Sequence, residues 1–566
     1  MSLFSPITNR SASTRALYVV VYLLLAAGAL TMIVPLLITI SGAMGGAYEP
    51  TAVSLYPRFL FSERALWSRF VEARYGGSLE NAKMAWESAD LDFYTPIPVP
   101  EPDEKMLALW KEYRRERGPL PYQLAGLTNA RWSNQHASLE NMRFRKWLMD
   151  RYEGSLTKLN EALLVDFPVS YAIVPPAQNR IVKVDAETPY IDAFREYLKT
   201  VSDENRLIWN IGGFYRAVYL PRIYGNDINR LNAEAGTRYT SFREVPFSAE
   251  VPGVAANAWF RFLTQVLNPA FIEFTPEGET AFNASGLNKI DFVKVAARPE
   301  HLRVVSVDLD FAEWARARGV ADARIPQAQI DWEIFQKEKS FWRWQFATQN
   351  FRQVIDGLLV HGNGARNTII LVLLSVAGAL TVNPMAAYSL SRFKLKQSYQ
   401  VLLFFLATIA FPAEVAMIPN FLQIKEFGMI NTFWALIIPG LVNGFSIFLL
   451  KGFFDSLPRE LYEAADIDGA SEWQIFWGIT MSLSKPILAV IALGAFGAAY
   501  GAFMFALILA PDPKMWTMMV WIYQLQQGAG PGIVYASILI TALPTLIVFI
   551  CAQNVIMRGI IVPTEK

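Results

Sequence analysis

The chain of 566 residues holds one cysteine and three histidines. Cys551 has no partner for an internal disulfide, so any exported portion must be stable without one. His136, His301 and His361 have no Cys or second His at ligand spacing, which argues against a structural zinc site and leaves no metal ligand to name. Net charge is also scarce, with 51 Lys+Arg against 50 Asp+Glu. That balance excludes a strongly basic nucleic-acid binder and an acidic solvating tail. No G-x-x-x-x-G-K-[ST] string occurs, so the chain has no phosphate loop of its own.

The charges that are present are unevenly placed. Residues 42 to 365 hold 38 basic and 40 acidic side chains, whereas the remaining 242 residues hold 13 and 10. A segment of ordinary soluble composition is therefore set inside a chain of membrane-protein composition. Runs free of Asp, Glu, Lys and Arg occur at 16–48, 367–391, 397–413, 427–450, 486–511 and 515–557. A bilayer core needs about 20 apolar residues per helix. The last run is too long for one helix, and the cluster Gly528-Ala-Gly-Pro-Gly532 divides it, leaving a span near 533–556. Six spans are predicted.

The first run follows Arg10 and Arg15, but Leu17 to Ile40 exceeds a signal-peptide core, so it reads as an uncleaved anchor. Arg392, Lys394, Lys396, Lys451, Arg459, Lys485, Arg558 and Lys566 fall in alternate loops, and the positive-inside rule places these loops and both termini in the cytoplasm. Residues 42–365 then lie outside, between spans one and two. Pro35, Pro384, Pro412, Pro419, Pro439 and Pro544 recur within the spans, a pattern tolerated where helices line a pathway. Glu414 reads as an interfacial carboxylate near the end of span three.

Residues 456–485, between spans four and five, carry the most information. Pro458 suits the first turn of a helix, and Glu460 and Glu463 favour its positive end. Asp468-Gly469 then breaks the chain, and Ser471 with Gln474 forms a capping box for a second short helix carrying Ile475, Phe476 and Ile479. A helix-turn-helix elbow results, with small residues Ala464, Ala465, Gly469 and Ala470 that permit close approach by another protein. The string Glu463-Ala-Ala-Asp-Ile-Asp-Gly469 resembles the coupling loop of binding-protein-dependent ABC importers, specifically the smaller permease subunit of the carbohydrate-uptake class, similar to the maltose permease. Other matches follow in order: Asn350-Phe351, Asn367-Thr368, Ala386-Ala-Tyr-Ser-Leu-Ser-Arg392-Phe393, Pro419, Gly428, Asn431-Thr432, Asp455-Ser-Leu-Pro458 and Gln553 with Gly559 and Lys566. The family's second proline before span five is Ser482 here, and its W-N-D-F-like motif is Tyr500-Gly501-Ala502-Phe503.

The resemblance implies an all-α chain in three parts. Residues 1–41 form the cytoplasmic N-terminus and first span, 42–349 an extracytoplasmic helical domain, and 350–566 a permease core. It also implies transport of a sugar or oligosaccharide across a bacterial inner membrane, without catalytic residues or a cofactor on this chain. ATP and Mg would be bound by a separate ATPase dimer, contacted by Glu463, Ala464, Ala465, Asp468, Gly469, Ala470 and Phe476. A second related permease, an extracytoplasmic solute-binding protein and the lipid bilayer complete the partners. The rival reading is a membrane-anchored glycan receptor or glycan-processing enzyme, which would not need the elbow.

The insert repeats itself. Phe70-Val-Glu-Ala-Arg-Tyr75-Gly-Gly-Ser-Leu79 parallels Trp147-Leu-Met-Asp-Arg-Tyr152-Glu-Gly-Ser-Leu156, and a third copy runs from Pro221 through Tyr224-Gly225 to Ala233. Units of 70 to 80 residues suggest an array of helical modules, each packed on the next. The segment Phe144 to Ala162 also resembles a short stretch of β-galactosidase-type glycoside hydrolases. Trp110, Tyr113, Phe194, Tyr197, Trp259 and Phe262 follow the copies at helical spacing, as core residues or as exposed platforms for sugar rings.

Overall fold

The computed structural model describes residues 12–46, 54–121, 124–127, 139–167, 170–176, 188–252, 255–360, 362–393, 396–409, 413–527 and 529–559. His136, His361, Lys394, Pro412 and Lys566 lie outside the described residues. The chain divides into two compact units, one of Met1–Asn350 with Gly528–Ala536, the other of Phe351–Gln527 with Ser537–Lys566. The described residues are mostly helical, and their only sheets are two antiparallel two-stranded pairs. Ala125–Gly126 pairs with Leu207–Ile208, and Ile272–Phe274 with Leu302–Val304.

In the first unit the three sequence copies share one local geometry. After Tyr75, Tyr152 and Tyr224 come two consecutive residues in the left-handed region: Gly76 and Gly77, Glu153 and Gly154, Gly225 and Asn226. This pair reverses the chain, and Ser78, Ser155 or Asp227 then caps a short helix by accepting a backbone N–H. Seven residues after each Tyr, Ala82, Leu159 or Leu231 is fully buried. Twelve after it, Glu87, Leu164 or Gly236 closes the helix in the left-handed region. In the second and third copies an asparagine clamps the chain beyond: Asn160 bonds both backbone groups of Phe167, and Asn232 those of Tyr239.

The copies do not pack as a simple row. The first and third contribute to one core around Trp67, Phe70, Tyr215, Trp259, Phe262 and Phe335, while the second packs in a separate core with Phe144, Phe194 and Tyr197. Trp110 and Tyr113 sit in a third core with Phe311 and Trp314. All six aromatics that follow the copies are thus buried, so they hold the cores and offer no platform to a ligand.

Buried carboxylates tie these cores together. Asp331, fully buried, accepts from Tyr75 Oη, Trp86 Nε1 and Gln327 Nε2 and lies 3.4 Å from Arg74. Glu87 accepts from Asn210 at 2.9 Å and pairs with Arg216 at 2.8 Å and Arg324 at 3.3 Å. Burial alone would raise its pKa, but the two guanidinium groups and the amide outweigh burial and hold it below the ordinary 4.5. Its folded-state pKa lies below its unfolded one, so its contribution to stability is complete above pH 4.5 and drains away as the pH falls further. Glu87→Gln is expected to lower the melting temperature of the purified chain at neutral pH and to flatten its decline in acid. Tryptophan-fluorescence melting across a pH series checks both.

In the second unit the helix Gly364–Arg392 packs on Gly444–Asp455 and Lys485–Tyr500. Gly444 itself permits a close approach to a neighbouring backbone, because a Cβ there would lie 2.3 Å from the carbonyl oxygen of Phe405. Polar residues noted in the sequence are backbone staples. Asn367 donates to the carbonyls of Lys514 and Trp516, Thr368 accepts from Met518 N, and Asn431 joins Leu509 and Asp512. Asn383, next to Pro384, bonds the carbonyl of Leu441 and the N–H of Asn443. Such pairings matter where no water competes for backbone groups.

Ala16–Ala43, Gly364–Arg392 and Pro531–Gln553 are long and apolar enough to cross a bilayer. Two bent pairs raise the number to five: Phe433–Gly440 with Gly444–Asp455 at 52°, and Glu472–Leu483 with Lys485–Tyr500 at 84°. The six expected spans are therefore three to five by length and composition among the described residues. The third charge-free run yields only the short helix Ser398–Ile409, and residues 410–412 lie outside the described residues. The fifth stops at Tyr500, about 24 Å at 1.5 Å per residue, before a break at Gly501 and a short helix Met504–Leu509.

Candidate functional site

The elbow lies wholly within the second unit. Helix Arg459–Ile467 follows Pro458 and ends at Asp468. Gly469, with φ of +74°, turns the chain in the left-handed region, and Ala470 N closes the turn on the carbonyl of Ala465. The capping box forms: Gln474 Oε1 accepts from Ser471 N at 2.8 Å, and Ser471 Oγ accepts from Gln474 N at 3.4 Å. A continuous helical stretch then runs from Glu472 to Leu483, and Lys485–Tyr500 follows with Pro486 in its first turn.

Of the residues selected from sequence, Glu463, Ala464, Asp468 and Gly469 are exposed and Ala470 is half-buried. Ala465 and Phe476 are buried instead. Phe476 packs edge-on to Tyr388 at 5.2 Å, so it supports the elbow from beneath and presents nothing to a partner. With Tyr462, Ile475, Leu450, Phe454 and Ile491 it forms a core of its own. Sequence reasoning passed over the apolar side chains that do face out. Ile467 is 86% exposed, beside exposed Leu461, Trp473 and Trp477. Three adjoining helical turns thus present a ridge of large apolar side chains next to the carboxylates of Glu463 and Asp468.

Arg392, the last residue of the long helix, fastens this ridge. Its guanidinium donates to Asp466 Oδ2 at 2.5 Å, lies 3.6 Å from Glu472 and sits over the ring of Tyr462 at 5.3 Å. Tyr388, one turn earlier, donates its hydroxyl to Glu472. Beneath them, Tyr462 and Thr480 share a hydroxyl contact at 3.1 Å. Both arms of the elbow are therefore gripped from one helix end, and a force on the ridge is carried to that helix by charge-assisted bonds.

A separate recess of about 880 Å3 lies where the fifth expected span breaks. Phe496, Tyr500, Phe503 and Tyr523 give it aromatic walls, with Gln526 and Thr541 as polar groups. Tyr500 Oη is tied to the carbonyl of Thr541, and Phe503 packs on Tyr523 at 5.0 Å.

A family described as "Binding-protein-dependent transport system inner membrane component" matches residues 372–559, which contain Arg392 and the whole elbow. The galactooligosaccharides transport system permease protein GanQ of Bacillus subtilis (strain 168) is 34% identical over 200 residues, covering 34% of this chain and 70% of GanQ. The chain belongs to this family of membrane transport components. The maltodextrin transport system permease protein MdxG of the same organism is 30% identical, over 37% of this chain and 77% of MdxG. Protein LplC, also of B. subtilis, is 36% identical over 166 residues, and the chain spans 56% of its length. A crystal structure of a bacterial ABC transporter involved in the import of the acidic polysaccharide alginate is 25% identical, covering 36% of this chain and 78% of that one, with a TM-score of 0.33. As a transport component, the chain needs no catalytic residue of its own.

Proposed function

We propose that this chain is a permease subunit of an ATP-driven importer that moves a sugar or oligosaccharide across the inner membrane. The carrying observation is the elbow: an exposed apolar ridge at Ile467, Trp473 and Trp477, flanked by Glu463 and Asp468 and clamped to a long helix by Arg392. Exposed large apolar side chains gathered on a rigid element mark a protein contact. The partner is the ATPase subunit, whose closure on ATP pushes the elbow as a rigid body and exchanges inward-open and outward-open arrangements. ATP drives that exchange only through contacts that differ between the two.

The sugar is inferred from GanQ and MdxG, whose names specify galactooligosaccharides and maltodextrin. In this reading the aromatic recess at Tyr500 and Tyr523 lies on the pathway. A second related permease and a solute-binding protein complete the assembly, the elbow and both termini face the cytoplasm, and residues 42–365 lie outside. Ile467→Glu tests the contact. A charge at the crown of an apolar docking ridge is left desolvated on binding, so ATPase co-purification in mild detergent is expected to fall at least about tenfold, the equivalent of roughly 1.4 kcal/mol. Undiminished co-purification would overturn the assignment of the ridge. A chain that retains no ATPase even as wild type would favour the anchored glycan receptor or glycan-processing enzyme.

A further inference from the structure

The first unit contains a cavity of about 170 Å3 that none of the transport chemistry uses. One helix, Lys339–Ile355, supplies a wall through Trp342, Gln345, Phe346 and Gln349. These positions recur at three- and four-residue intervals, so they share one helix face. A face turned inward is ordinarily apolar throughout. Here it alternates aromatic rings with amides. Trp342 packs against Phe70 at 4.9 Å and Phe346 at 5.8 Å, which fixes the indole as part of a rigid aromatic wall.

The amides are the unexplained part. Gln345 is 4% exposed and Gln349 9% exposed, and neither side chain makes a hydrogen bond among the described residues. Across the cavity the Asn205 side chain is likewise uncommitted among them, and Lys337 stands at the rim without an ion pair to any described residue. Leaving a buried amide unpaired costs about 1–3 kcal/mol, so native structures retain such groups for a reason. Water can fill the empty cavity, and a ligand that reproduces its hydrogen bonds displaces it without loss.

Charge narrows the ligand. Arg74, Arg143 and Lys337 on the lining are matched by Glu140, Glu204 and Glu338. Arg74 is already engaged by Asp331, and Arg143 by Glu140. The lining therefore has no surplus of either sign to hold an ion. Its volume is below the roughly 300–1,000 Å3 of pockets for drug-sized molecules. A small, uncharged ring with hydroxyls on its edge and C–H groups on its face matches aromatic wall, amides and size together.

We propose that this cavity binds one ring of a neutral saccharide, with Trp342 as the stacking wall and Gln345 and Gln349 as the groups that read its hydroxyls. The site is separate from the recess at Tyr500, and would give the charged segment a receptor role of its own. The proposal deepens the sugar-import reading by placing a ligand class on a particular helix face, but its test needs no transport.

The full chain, purified in detergent, is titrated with cellobiose, lactose and maltose, and with digalacturonic acid as the anionic comparison, by calorimetry and tryptophan fluorescence. At least one neutral disaccharide is expected to bind, and Trp342→Ala to weaken it at least about tenfold. Because Trp342 also packs on Phe70, Gln345→Leu and Gln349→Leu supply independent variants. Each removes an unpaired buried amide for a side chain of similar size, so melting temperature is expected to hold or rise while saccharide affinity falls at least about tenfold. Wild-type affinity in both leucine variants would overturn the proposal. So would preferential binding of digalacturonic acid, or no binding by any neutral disaccharide up to about 10 mM. A missing ATPase partner would sink the importer reading and leave these titrations unaffected, so the two failures are told apart.

Discussion

Gly469→Pro is expected to bring uptake down to background, at least about a hundredfold, while the chain still inserts in the membrane. Gly469 has φ of +74°, and proline fixes φ near about −65°. The substitution also removes an N–H that bonds the carbonyl of Asp466, and disfavours the helical conformation of Asp468 just before it. No small adjustment satisfies all three, so the two arms of the elbow must change direction. A reoriented ridge loses its shape match to the ATPase, and a loss of about 3 kcal/mol already exceeds a hundredfold. Gly469→Ala is the control. A Cβ there meets no atom within 4 Å, so the only cost is the left-handed conformation, about 1–2 kcal/mol. Uptake by the alanine variant is expected to stay within about tenfold of the wild type. Normal uptake by the proline variant would count against docking through this turn, and membrane fractionation of both variants separates lost coupling from lost insertion.

The elbow was legible because its signals are local. A glycine six residues after Glu463, a capping pair three residues apart and Pro486 at the next helix each act within a turn or two, and each takes the conformation its chemistry favours. The same locality explains the three turns of the insert, where paired left-handed residues follow Tyr75, Tyr152 and Tyr224 at fixed offsets. What sequence could not supply is the facing of side chains. Phe476 and Ile467 are both apolar and nine residues apart, yet one is buried and the other is 86% exposed. Only the tertiary position of Tyr388 and Leu450 decides between them. The spans show a related limit: charge-free runs measure apolarity, which is the same on either side of a bend, so the 84° turn at Ser484 and the break after Tyr500 leave no trace in hydropathy. The amides of Gln345 and Gln349 were hidden for the converse reason, since glutamine on a charged helix reads as solvated surface until burial is seen.

The Arg392–Asp466 pair spans 74 residues of sequence, and it yields the second large expected effect. Arg392→Glu places a carboxylate against Asp466 and Glu472, where a guanidinium now bonds one and lies 3.6 Å from the other. Removing the arginine alone would be mild, because Asp466 and Glu472 are each nearly half exposed and solvent screens the pair to about 1 kcal/mol or less. Reversal is different: three carboxylates then crowd both arms of the elbow, and like-charge juxtaposition costs several kcal/mol. The cation over Tyr462 is lost as well. The arms are expected to part from the end of the long helix, so ATP hydrolysis continues on the partner but no longer drives movement. Uptake should fall at least about a hundredfold, whereas with Arg392→Ala it should fall less than about tenfold. Arg392→Glu combined with Asp466→Arg restores an opposite-charge pair, with the new guanidinium in reach of the Glu472 carboxylate. At least about a tenth of wild-type uptake should then return, roughly a tenfold gain or more over the single reversal. Recovery of this kind assigns the loss to the pairing itself. Equal defects in the single and double variants would instead show that Arg392 serves another contact, and the clamp would have to be abandoned as the route by which the ridge moves the spans.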